Sequence, residues 1–218
     1  MSIDADQETG AAEVLVEERP GILVITLNRP RARNAVIVAV SEAVAAALDL
    51  LDARPDLVVG VITGAGATFC AGVDLKGFLR GERSSIPGRG FAGITARPPA
   101  TPMIAAVEGH ALAGGCEVVL ACNMVVAGRG ATFGLPEVKR GLVAAAGGLL
   151  RLPERIPPAI AMELALTGRG PQRAAVARGR SHQRGRRRRP CARCGPAPRR
   201  SDRGQRPAGR RGEQAGTA

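Results

Sequence analysis

The 218-residue chain has no tryptophan or tyrosine and only four phenylalanines. Its last fifty residues, 169–218, also lack Leu, Ile, Met and Lys, and contain a single Val. Such a segment cannot bury enough apolar area to offset its ordering entropy, so a disordered tail is expected there. Nowhere do eighteen apolar residues run free of charge, which excludes a helical membrane span. The opening Met1-Ser-Ile-Asp-Ala-Asp-Gln-Glu8 is acidic and polar, the reverse of a secretory leader. Five cysteines, an odd number with three in the hydrophobic part, argue against a secreted disulfide scaffold. The expected compartment is cytoplasmic.

The net charge of +12 is unevenly placed. Residues 169–218 hold sixteen arginines against one aspartate and one glutamate, a net +14; residues 1–168 hold fifteen basic and seventeen acidic side chains, a net −2. Two parts follow: a near-neutral body over 1–168 and a basic tail over 169–218. In the body, Ile22–Leu27 and Leu57–Ile62 read as strands from their β-branched runs and flanking turn residues. Between them Val36, Val40, Val44, Ala47, Leu48 and Leu51 trace one helical face, with Asn34 expected as N-cap. Met103–Val107 and Met124–Val126 read as further strands, with a small-residue helix over Ala111–Ala121 between them and a helix over Pro158–Thr167 closed by Gly168. Alternating strands and helices predict an α/β body with a parallel or mixed sheet. Residues 80–102, rich in Gly, Ser, Arg and Pro, read as a mobile surface loop or lid.

Three glycine-flanked pieces carry candidate chemistry. Thr63–Asp74 follows a buried strand with a glycine-rich turn whose free N–H groups suit an anion, although taken alone a plain tight turn is the better reading. In Glu108–Glu117, Gly114-Gly115 opens the small-residue helix and lets a ligand approach its N-terminus; Glu117 lies one turn further in. Phe133-Gly-Leu-Pro-Glu137 puts a second carboxylate on a strand exit. Two carboxylates in different environments can divide acid and base duties, while each alone reads as a solvated charge.

Phe69-Cys-Ala-Gly-Val-Asp-Leu75, the Gly109–Glu117 segment and Phe133–Glu137, in this order and spacing, resemble the crotonase (enoyl-CoA hydratase/isomerase) superfamily. So do Leu27-Asn-Arg-Pro-Arg-Ala-Arg-Asn34, the run Gly141–Pro153 and Glu163–Gly168. The resemblance covers about residues 12–168. It implies a spiral of ββα units, a homotrimer or hexamer, and an acyl-CoA thioester as substrate, with no metal and no separate cofactor. It implies an oxyanion hole from the backbone amides of Ala71 and Gly114, with Ala71, Gly72, Val73, Asp74 and Gly114 at the substrate. It further implies hydration of 2-enoyl-CoA with Glu117 activating water and Glu137 protonating C2. An isomerase needing one glutamate, another acyl-CoA enzyme of the superfamily, or a non-catalytic scaffold with a polyanion-binding tail are the alternatives. Arg31 and Arg33 read either as coenzyme A phosphate contacts or as solvated charges. His110, Cys70, Cys116 and Cys122 read as packed residues, and Ala113 stands where many relatives have glycine.

The resemblance stops after Gly168, where relatives continue with helices that cover the acyl site and complete the subunit interface, so impaired activity is an expectation. The basic tail has three readings. A nucleic-acid arm lacks aromatics for stacking and is not expected. A zinc site at Cys191 and Cys194 with His182 falls short of four ligands. High-GC coding DNA read out of frame accounts best for the abrupt change to Arg, Gly, Pro and Ala.

Overall fold

The computed structural model describes residues 12–168 and the backbone of 172–173. The expectations for the basic tail, including the Cys191, Cys194 and His182 reading, lie outside those residues.

The chain enters as a hairpin. Strand β1 (Val14–Arg19) pairs antiparallel with β2 (Ile22–Leu27) across Pro20-Gly21, where Gly21 takes φ +75°. Proline fixing the first turn position and glycine supplying positive φ at the second make a two-residue reversal. Alternation along β2 buries Leu23, Ile25 and Leu27 and leaves the intervening residues half-buried. A crossover through helix α1 (Val38–Ala53) leads to β3 (Val59–Gly64), which joins β2 in parallel. α1 lays Val40, Val44, Ala47, Leu48 and Leu51 on the sheet. Gly60 in β3 leaves the space that Met103 and Leu51 fill, since a β-carbon there would collide with both side chains.

The short helix α2 (Leu75–Leu79) follows, then the two-residue strands β4 (Ser85–Ile86) and β5 (Gly90–Phe91), which pair with each other. Strand β6 (Met103–Val107) extends the main sheet in parallel, and after β7 (His110–Leu112) and α3 (Gly114–Ala121), β8 (Met124–Ala127) adds again in parallel. The sheet order is therefore β1-β2-β3-β6-β8. Strand β9 (Thr132–Gly134) runs parallel to β7 and pairs antiparallel with β10 (Gln172–Arg173) in a second, smaller sheet. Helices α4 (Gly148–Arg155) and α5 (Pro158–Thr167) complete the body; Gly168 caps α5 at φ +52°. No helix among the described residues is long and apolar enough to cross a membrane.

Two expectations are corrected. Asn34 does not cap α1, which starts at Val38. It is buried at φ +54°, accepts from the Arg29 N–H, and donates to the carbonyls of Ala65 and Thr68. Its amide thus bridges two loops, which a capping side chain at a helix mouth cannot do. The segment 80–102 is not a free lid. Ser84, Arg89, Phe91, Ala92, Ile94 and Thr95 are buried, and α1 supplies several of the segment's polar partners. Ser41 Oγ donates to the Ser84 carbonyl at 2.7 Å, Asp49 pairs with Arg89, and Asp52 accepts from the Ala100 and Thr101 N–H groups, both at 3.0 Å.

Candidate active site

The loop after β3, the 80–102 segment, the start of α3, the turn after β9 and the start of α4 enclose a cleft of about 1890 Å³. That exceeds the roughly 300–1,000 Å³ of common small-molecule sites and suits a long ligand. Ala71, Val73, Asp74, Ala113, Gly114, Glu117 and Glu137 line it; Gly72 does not. Gly72 is instead the close-approach point behind the wall: a β-carbon there would lie 2.9 Å from that of Ala113 and 3.2 Å from the Gly114 nitrogen. Its φ of +98° bends the chain at the same place.

Accounting for backbone N–H groups changes the expectation for this loop. Ala71 N–H donates to the Arg33 carbonyl at 3.0 Å, Gly72 N–H faces Cys70 Sγ at 3.4 Å, and Asp74 N–H donates to the Val36 carbonyl at 3.0 Å. Val73 N–H has no acceptor among the described residues, because in the parallel bridge to Val36 the neighbouring groups, Gly72 C=O and Asp74 N–H, make the pairing. Gly114 N–H, at the first position of α3, is likewise without one. The expectation that Ala71 supplies a free amide is therefore corrected in favour of Val73. Asp74 is also committed elsewhere. Its Oδ1 caps α2 by accepting from the Lys76 and Gly77 N–H groups, and its Oδ2 pairs with Arg29 at 3.1 Å.

Glu117 and Glu137 reach the cleft from different elements. Every residue of α3 is buried, and Glu117 is only 4% exposed. Its Oε1 accepts from Gly148 N–H at 2.9 Å. Burial holds its carboxyl above the ordinary range, opposed by the neighbouring Gly148 and Ala146 backbone and by the Arg151 charge. Glu137 opens a single 3₁₀ turn, Glu137–Arg140, closed by Gly141 at φ +66°. Its Oε2 is buried without a hydrogen-bond partner among the described residues. Burial raises its carboxyl too, and the Glu117 charge adds to the rise.

Phe91 packs its ring where a β-carbon on Gly114 would stand, so glycine there keeps both the ring contact and backbone access. Arg31 and Arg33 are exposed on the cleft wall. His110 lies outside the cleft and is exposed rather than packed, with Nδ1 at 2.6 Å from Thr132 Oγ1. Cys70, Cys116 and Cys122 are buried free thiols, each pushed up to about 12 by burial. No cluster of three or more His, Cys, Asp or Glu among the described residues is placed to hold a metal ion. Arg151, whose guanidinium sits beside the Glu117 cradle, went unnoticed in the sequence; the Gly147-Gly148 pair just before it was its only signal.

A parallel-rich sheet with a glycine-opened helix and facing carboxylates defines the crotonase fold class. The chain belongs to the enoyl-CoA hydratase/isomerase family, whose model matches residues 17–178. Mevalonyl-coenzyme A hydratase sidH of Aspergillus fumigatus is 45% identical over 153 residues, 68% of this chain and 57% of that protein. Enoyl-CoA hydratase EchA19 of Mycobacterium tuberculosis is 40% identical over 164 residues, 72% of this chain and 62% of that protein. The crystal structure of enoyl-CoA hydratase EchA1 from Mycobacterium marinum is 63% identical, covers 77% of this chain and 66% of its own, and superposes with a TM-score of 0.74. The chain thus spans about three fifths of the length of these curated relatives.

Proposed function

We propose that the chain hydrates 2-enoyl-CoA thioesters to 3-hydroxyacyl-CoA. What carries the reading is one cleft shared by two buried or half-buried carboxylates from separate elements and two backbone N–H groups without acceptors. The thioester oxygen is received by Val73 N–H and Gly114 N–H, with the α3 dipole behind the second. Glu117, ionised, takes a proton from water as its oxygen attacks C3. The C2–C3 π pair moves toward the thioester, giving an enolate whose oxygen the two amides hold. Glu137, in its protonated form, then delivers a proton to C2. Net addition is one H and one OH, and proton exchange with solvent resets both carboxylates.

The relatives support this class of chemistry, being a mevalonyl-CoA hydratase, an enoyl-CoA hydratase and, at 43% identity over 155 residues, a carnitinyl-CoA dehydratase from Proteus mirabilis. Addition and removal of water are the two directions of one reaction. Arg31 and Arg33 at the cleft wall are in reach of a polyphosphate ligand, and exposed Met124 and Val126 on edge strand β8 offer apolar area to a homotrimer or hexamer.

The test is the loss of enoyl-thioester ultraviolet absorbance with crotonyl-CoA and purified full-length protein. Glu117→Gln and Glu137→Gln should each lower kcat by about 10²-fold or more, the scale of a positioned general acid or base. Undiminished hydration by either variant would refute the assigned roles. Hydrogen exchange at C2 without hydration, dependent on a single glutamate, would favour an isomerase.

A further inference from the structure

Arg151 lies on α4, one turn after the Gly147-Gly148 pair, and its guanidinium folds back over the start of its own helix. Nη1 donates to the Ala146 carbonyl at 3.3 Å and occupies the space beside Gly147 that a β-carbon there would need. Nη2 donates to the Thr95 carbonyl at 2.6 Å. Gly147 has φ +97°, so the peptides on either side of it are turned as a rigid corner. Of the two residues flanking that corner, Gly148 donates its N–H to Glu117 Oε1 at 2.9 Å, and the backbone of Ala146 lies close enough to act on the same carboxyl. Thr95 belongs to the segment that carries Phe91 onto Gly114. One side chain thus ties the backbone around Glu117 to the backbone that packs on the α3 N-terminus.

We propose that Arg151 is a positioning residue for Glu117: its fork, fixed between the Ala146 and Thr95 carbonyls, holds the 146–148 backbone so that the Gly148 N–H stays aimed at the Glu117 carboxylate. The kinetic consequence rests on the hydratase reading, whereas the effect on Glu117 itself does not. Among the described residues the charged groups bearing on Glu117 are Arg151 from α4 and Glu137 from the turn after β9. Burial favours a neutral Glu117, as does Glu137 whenever it is ionised. Arg151 and the Gly148 N–H it secures favour the ionised form that a base requires. Lysine would keep the charge but offers one nitrogen for two carbonyls set apart.

The experiment is a carboxyl ¹³C NMR titration of full-length wild type, Arg151→Met and Arg151→Lys, with Glu117→Gln assigning the resonance. The Glu117 midpoint should rise by about one pH unit in Arg151→Met and by less in Arg151→Lys. The acidic limb of kcat/KM for crotonyl-CoA should move up with it, while KM changes little. An unmoved midpoint in folded Arg151→Met overturns the proposal. Should Arg151→Met fail to fold by circular dichroism, Arg151→Lys decides alone: wild-type midpoint and wild-type pH profile together overturn it. A midpoint that moves while no variant, wild type included, hydrates crotonyl-CoA supports the positioning role and refutes the hydratase reading.

Discussion

Replacing Ala113 with glycine should stabilise the protein, although alanine-to-glycine changes ordinarily do the reverse. Ala113 is the N-cap of α3 and sits at φ +50°, ψ −129°, a region that favours glycine. Holding a residue with a β-carbon there costs about 1–3 kcal/mol. Glycine's greater freedom in the unfolded chain offsets about 0.5–1 kcal/mol of the relief. Losing a partly buried methyl group offsets at most about 0.8 kcal/mol more. The net expectation is a gain of about 1 kcal/mol, which for a body of this size raises Tm by about 2–4 °C. The control is Ala46→Gly, at an exposed position inside α1, which should cost about 1 kcal/mol. Thermal and urea unfolding of both variants should therefore move in opposite directions. If both lower Tm alike, the Ala113 backbone is not strained and the reasoning fails.

Three more outcomes are expected. Glu137 has a carboxyl raised by burial, so the native state holds its proton at pH values where the unfolded chain has released it. Stability from this group is complete below the unfolded value and is lost as pH rises through the folded one; Glu137→Gln should therefore melt higher than wild type near pH 8, the gap closing toward pH 4. Replacing the peptide N–H of residue 73 with an ester oxygen should lower kcat by about 10²–10³-fold, whereas the same change at residue 71 should act mainly on stability through the Arg33 carbonyl. Asp52→Ala removes the acceptor of the Ala100 and Thr101 N–H groups, and should cost about 1–3 kcal/mol and speed hydrogen exchange across 84–101. Unchanged exchange there would mean that α1 does not hold the segment.

Much of the sheet was legible because its strands are apolar β-branched runs, and Met103–Val107 was read to the residue. The small-residue helix was legible from Gly114-Gly115. The parts that were not share a physical reason: their structure is fixed by partners distant in sequence. The 80–102 segment looks free because its own composition has no period, yet Ser41, Asp49 and Asp52 on α1 satisfy its polar groups. Asn34 carries the signal of a helix cap but spends its amide on Ala65 and Thr68, about thirty residues away. The free amide could not be placed from sequence, because whether Ala71 or Val73 is free depends on the alternation set by pairing with Val36. Strand β1 escaped notice because only Val14 of its six residues is buried. The two glutamates were singled out from their motifs; what each one touches became visible only in three dimensions.

The three body cysteines also give the fold a built-in clock. Cys70 joins the loop behind the cleft to β7 through its bridge with Ala111, Cys116 lies in the first turn of α3, and Cys122 follows its last. A buried thiol that stays protonated near neutral pH is inert to alkylating reagents until its surroundings open. Iodoacetamide uptake at Cys116 would thus report how often α3 is breached, and uptake at Cys122 how often its far end frays. Comparing the two rates with and without an acyl-CoA would show, without any turnover, whether occupancy of the cleft quiets the helix from one end or along its whole length.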